Sequence, residues 1–222
     1  MIDPSYLHPA TYIDSDQPAV IAYARAAAGD APDPVEAAKR LYLAVRDDIF
    51  YDPYVNVADV RIYHASTVLK MRRTYCIPKA ALLAAAARAL GIPARVGYAD
   101  VRNHLATPRL LELIGGDIFH WHGFTELYLE GKWVKATPTF NLELCERFRV
   151  KPLEFDGRSD SLFHPYDQDG RRHMEYIAKR GTFADVPVAQ ILEDLKKVSP
   201  LWFAGPDGGP GGDLMAEAEA LS

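Results

Sequence analysis

Only two cysteines, Cys76 and Cys145, occur in 222 residues. That scarcity excludes a disulfide framework and a CxxC-type structural zinc site. In a reducing compartment each is a free thiol, serving either as a small apolar core group or as a reactive one. Long apolar runs are missing too: the longest, 80–87, is alanine-rich and stops at Arg88, far short of the ~18 residues that cross a bilayer. Charge of one sign is not in excess, since 25 basic against 30 acidic residues give a net of −5 with no basic block. Neither a nucleic-acid nor a membrane partner is therefore expected. Residues 1–10 hold neither a basic segment nor an apolar core, so no secretory signal is expected there and the cytoplasm is the default compartment. No EF-hand loop, phosphate-cradling glycine loop or dinucleotide fingerprint occurs, so no cofactor and no calcium dependence are expected.

What is present is an apolar fraction of 49%, enough to bury a core. A helix is predicted over 18–28, with Asp16 as N-cap and Gly29 past its end. A second ends near Ile49 and is marked by Asp33 as cap, Pro34 in the first turn and Glu36 completing a reciprocal capping pattern. Its Ala38, Leu41, Tyr42, Val45 and Ile49 share one face. Residues 51–63 read as loop and 66–71 as a short helix. The strongest local pattern starts at Cys76 and runs over 77–90, with Pro78 in the first turn, a dense run of alanines and leucines, and Gly91 after the end. It marks a buried helix. Strand character follows over 94–101, then a connection over 102–116 with a short helical piece, then a hairpin of 122–129 and 132–137 turning at Glu130-Gly131. Beyond Asn141 the chain reads as ordered loop packed by Phe155, Phe163 and Tyr166, followed by a helix over 186–198 capped by Asp185. From 205 seven of eight residues are glycine or proline, which reads as a flexible tail over 205–222 behind one domain over 1–204.

A cysteine that opens a helix meets the positive end of the helix dipole and unpaired N–H groups, and both favour thiolate. Cys76 sits at such a point, with Arg72 and Arg73 just before it. A thiol nucleophile also needs a base, normally an imidazole oriented by a third polar group. Among seven histidines, His122 is the candidate, because it opens a hairpin strand. In an antiparallel hairpin with this turn, opposed residues have numbers summing to about 260, which puts His122 across from the 137–139 stretch.

These residues carry a resemblance. Cys76-Ile77-Pro78-Lys79-Ala80-Ala81-Leu82-Leu83, then Ala89-Leu90-Gly91-Ile92-Pro93-Ala94-Arg95-Val96, then His122-Gly123-Phe124-Thr125-Glu126-Leu127-Tyr128-Leu129, then Gly131-Lys132-Trp133 and Thr137-Pro138-Thr139, together resemble the core of the microbial transglutaminase-like superfamily. The match covers about residues 33–141. It implies an α+β fold of papain-like type, with N-terminal helices and the nucleophile on a central helix packed against an antiparallel sheet. It also implies a cysteine-dependent acyltransferase or protease acting on a peptide or protein amide, with Cys76 as nucleophile and His122 as general base and acid. Gly123-Phe124 stands where the family has Ala-Trp. Thr137 stands where the family has aspartate, and its hydroxyl can fix the imidazole tautomer without supplying charge. Asn141 is an alternative orienting group, with Asp117 a weaker one.

Two other readings compete. The fold can be kept while the chemistry is lost, leaving a catalytically impaired peptide-binding protein. Alternatively, His120 and His122 form a His-x-His unit that on a strand sends both rings to one face and, with Cys76 or His104, starts a metal site. Cys145 has no comparable context and reads as a core thiol.

Overall fold

The computed structural model describes residues 2–205 and 210–220. After an N-terminal segment, α1 (Pro18–Ala28) and α2 (Pro34–Asp48) are followed by the two-residue strand β1 (Phe50–Tyr51). Then come α3 (Ala65–Met71), the short strand β2 (Arg73–Thr74) parallel to β1, and α4 (Cys76–Ala89). The second part holds β3 (Ala94–Asn103), α5 (Pro108–Ile114), β4 (Ile118–Leu129), β5 (Lys132–Ala136) and α6 (Leu142–Arg147). It ends in β6 (Met174–Phe183), α7 (Val188–Val198) and α8 (Leu214–Glu219). The four longer strands form one antiparallel sheet in the order β5-β4-β3-β6.

Helix α4 lies between the sheet and the helices α1, α2 and α3. That position explains a sequence apolar on every side: its residues Ile77 through Arg88 are all buried. Two of them are charged, and each is spent on main-chain oxygens. Lys79 donates to the carbonyls of Arg46 and Ile49 at the end of α2, satisfying acceptors a helix terminus leaves open. Burial lowers its ammonium to about 7. Arg88 donates to the carbonyls of Ala94, His8 and Ala184, fastening three distant segments to the end of α4.

The capping signals resolve unevenly. Asp33 accepts from the N–H of Glu36, whereas the Glu36 carboxylate is held by Lys39 and Arg40, so the reciprocal half of the expected pattern is absent among the described residues. The α1 cap is Gln17 rather than Asp16. Asp185 does not cap α7, which begins after Pro187; its carboxylate takes the N–H groups of Tyr12, Ile13 and Val186 instead. Two further expectations are corrected. The region read as loop beyond Asn141 contains α6 and the ten-residue strand β6. Within the expected tail, α8 is capped by Asp213 and buries Leu214 and Ala218, while Glu217 accepts from the hydroxyls of Tyr54 and Thr107. The rest of that tail, 206–209 and 221–222, lies outside the described residues.

Candidate active site

Two elements meet at the site. At Gly123 on β4, a Cβ would stand 3.0 Å from the Ile77 Cα and 3.3 Å from the Cys76 carbonyl oxygen, so the strand touches the first turn of α4 at a point where a methyl would be crowded. The backbone N–H groups of Gly123, Ile77 and Cys76 itself favour the thiolate form of Cys76. His122 precedes Gly123 in β4, and the His122 and Cys76 side chains line one cavity.

That cavity is narrow, and Cys76 itself is only partly buried. The cavity volume is about 30 Å³, room for a water molecule but not a peptide. Burial pushes the Cys76 thiol up to about 11 against the pull of those N–H groups, and pushes the His122 imidazole down to about 3. The pair therefore rests as neutral thiol and neutral imidazole. The His122 ring lies 4.9 Å from that of Phe163 and 6.3 Å from that of Tyr176, measured between ring centroids. Its Nε2 is buried and has no hydrogen-bond partner among the described residues.

The expected orienting groups fall in different places. Thr137 is buried just past β5 but lines a neighbouring cavity, on the side of Cys145 and Lys151. Asn141 lines neither; its side-chain oxygen accepts the Tyr51 N–H at 3.1 Å. Asp117 is paired with Arg102 at the surface. Continuing the register of Thr125↔Ala136 past the last pair brings Thr139 level with His122, and Thr139 lines the Cys76 cavity with a buried hydroxyl that has no partner among the described residues. Hairpin counting pointed to 137–139; which of these residues enters the cavity is set where the strand has already ended. Arg73 is paired with Asp52 at 3.0 Å, its side chain largely exposed.

The His-x-His expectation is also corrected. Trp121 takes a left-handed backbone (φ 60°), and the pairing register with β3 shifts between Ala99 and Val101. His120 and His122 nevertheless both line the Cys76 cavity. His120 is held by Asp100 at 3.1 Å and lies 3.2 Å from Arg180, inside an ion network that also takes Asp194. Among the described residues no group of three histidine, cysteine or acidic side chains is arranged to hold a metal. Cys145 is buried, its thiol raised by burial to about 12.

The remaining cavity wall was not visible to sequence reasoning. Phe163 covers the His122 ring from an irregular segment, and Trp202 closes the other side, edge-on to Tyr75 and bonded through Nε1 to the Pro53 carbonyl at 2.7 Å. No local pattern announces either role.

A partly buried thiol opening a central helix, set against a histidine strand of an antiparallel sheet, defines an α+β protein of the cysteine-enzyme type. The chain belongs to the transglutaminase-like superfamily, whose core model matches residues 21–138, and so to a family of cysteine-dependent enzymes. It is similar in fold to a candidate cysteine protease from Cytophaga hutchinsonii, with 20% identity and a TM-score of 0.51. That likeness covers 83% of this chain and 47% of the other, so the chain spans about half the length of that protein. A candidate protease from Parabacteroides distasonis ATCC 8503 matches at 17% identity and a TM-score of 0.39, over 53% of this chain and 22% of that one. Comparison with curated proteins returned no match. No helix among the described residues is long and apolar enough to cross a membrane.

Proposed function

We propose that the chain is a cysteine-dependent acyl-transfer enzyme that hydrolyses an amide or peptide bond. The observation that carries this reading is Cys76 at the start of α4, packed against Gly123 of β4, with His122 lining the same cavity. The thiol transfers its proton to His122 and forms a sulfur–carbon bond with the substrate carbonyl. The first N–H groups of α4 face the resulting oxyanion. Collapse breaks the carbon–nitrogen bond as His122 returns the proton to the leaving amine, leaving a thioester. Water then adds to the thioester with His122 as base, and the sulfur departs with a proton. A second amine in place of water would give transamidation, but no feature of the site is evidently built to receive one.

The test is the pH dependence of Cys76 alkylation by iodoacetamide in a Cys145→Ala background, comparing the parent with His122→Ala, Thr137→Ala and Thr139→Val. The expected result is that His122→Ala slows alkylation at pH 7 at least tenfold and moves the inflection upward. An unchanged rate and profile in His122→Ala overturns the reading. A second reading, a catalytically impaired peptide-binding protein, draws on one observation: among the described residues no carboxylate is bonded to His122 to stabilise its imidazolium. A Cys76 that alkylates as slowly as Cys145 in the parent selects it.

A further inference from the structure

The Cys76 cavity has no room for an acyl substrate, so part of its wall must move if the proposed chemistry occurs. The walls differ in how they are held. On one side Trp202 is bonded to Pro53, its own N–H donates to the Ser199 carbonyl, and the Ser199 hydroxyl donates to the Ile114 carbonyl at 2.6 Å. On the other side Phe163 sits in an irregular stretch pinned at Ser161, whose N–H donates to the Lys135 carbonyl, and at Pro165, whose carbonyl accepts from His173. Between those pins the hydrogen bond found is a long one, from the Phe163 N–H to the Tyr176 hydroxyl at 3.5 Å. Few hydrogen bonds in a short irregular span mark a piece of structure that opens at low cost.

What lies behind each wall differs as well. Beyond Trp202 is the Tyr75 ring, in the helical core. Beyond Phe163 is an open groove of about 390 Å³ along β6, walled by Tyr166, Arg172, Glu175 and Tyr176. Phe163 and Met174 line both the groove and the Cys76 cavity, so they form the partition between them. Tyr166 is 55% exposed, a large ring face turned to solvent. Glu175 is already engaged by Arg102 and His104, whereas Arg172 has no ion-pair partner among the described residues.

We infer that the groove along β6 is the binding site for the body of the substrate, an extended polypeptide with an apolar side chain against Tyr166 and an acidic one toward Arg172, and that Phe163 is the gate through which its acyl group reaches Cys76. The inference rests on the acyl-transfer reading. The groove holds the chain by ring contact and charge. Displacement of Phe163 admits the carbonyl to the thiol and water to the His122 ring.

The test uses the full chain and compares two thiol reagents, small iodoacetamide and bulky fluorescein maleimide, with the labelled cysteine located by peptide mapping. Phe163→Ala is expected to raise the bulky-to-small rate ratio at Cys76 at least tenfold, Phe163→Leu less, and Phe163→Trp to lower it. Trp202→Ala is expected to leave the ratio unchanged. Labelling of the buried Cys145 reports unfolding, and a variant that shows it is replaced in the comparison by Phe163→Leu. A tenfold rise in Trp202→Ala with none at Phe163 overturns the gate and puts the entrance on the C-terminal side. If Cys76 reacts with iodoacetamide but the ratio is the same in every variant, the gate fails alone; if Cys76 reacts with neither reagent in any variant, the acyl-transfer reading fails with it. For the groove, peptidyl chloromethyl ketones differing only in one acidic or basic side chain are compared. The acidic probe is expected to label Cys76 faster and Arg172→Glu to invert the order; equal rates for both probes overturn the groove assignment.

Discussion

The two sides of the Cys76 cavity are built on different principles. The side that holds the reacting groups is regular structure in backbone contact, a helix start pressed against a strand through Gly123. The side that holds Phe163 is irregular chain joined to the rest mainly by ring packing. Regular structure fixes the positions that chemistry needs, and irregular structure is left to control approach. Within the covering wall the same division recurs between Trp202, which is hydrogen-bonded into the core, and Phe163, which is not.

The contrast between the two rings predicts the largest effect. Trp202→Ala loses a buried ring and its bond to Pro53, and is expected to cost about 3–5 kcal/mol in urea unfolding, whereas Phe163→Ala, at the edge of an open groove, is expected to cost less than half of that. Equal losses break the comparison. Next in size, Gly123→Ala forces a methyl against main-chain atoms of α4 that cannot turn aside, with an expected loss of about 1–3 kcal/mol and a Cys76 alkylation rate that falls with it.

A third prediction concerns acid. His122 and His173 are both held below the ordinary imidazole value by burial, to about 3 and about 4. The unfolded chain therefore takes up protons first as pH falls through about 6.5. Their neutral forms stabilise the fold fully above that pH, and the contribution is lost as pH drops toward the folded values, by about 1.4 kcal/mol per pH unit for each proton. Urea midpoints measured from pH 7.5 to 5 are expected to fall, and to fall less steeply in His122→Gln; an identical slope in that variant removes burial of His122 as a cause. The smallest effect is expected at Asn141→Ala, about 0.5–1.5 kcal/mol for the lost bond to Tyr51, with the pH profile of Cys76 alkylation unchanged. A shifted profile would return Asn141 to the site.

The sequence is legible wherever structure is set by neighbours in the chain. Asp33-Pro34 starts α2, Gly29 and Gly91 stop α1 and α4, and Glu130-Gly131 turns the hairpin. These are local steric and hydrogen-bonding facts, readable without the fold. Strand β6 was not readable because it lies at the sheet edge and most of its residues stay at least partly exposed, so they keep no apolar alternation; its pairing with β3 also shifts register twice. Helix α8 was masked by the glycines and prolines before it, and what holds it is a contact of Glu217 with Tyr54 and Thr107, far away in sequence.

The same division applies to the site. Cys76 stood out because it opens α4, and His122 because of the pattern around it, although β4 starts at Ile118 rather than at His122 as expected. The placement of Thr137, Thr139 and Asn141 follows from how the chain leaves β5, which pairing rules do not reach once the last pair, Thr125↔Ala136, is passed. Phe163 has no pattern at all; only the rings of His122, Phe140 and His173 packed around it give it a place.

The order of the lining residues along the chain also has a consequence for biosynthesis. Cys76 and His122 leave the ribosome well before Phe163, Leu195, Ser199 and Trp202, all of which wall the same cavity. Arg88 likewise must wait for Ala184 before its last carbonyl partner exists. During translation the thiol-bearing helix is therefore made before several of the side chains that wall its cavity.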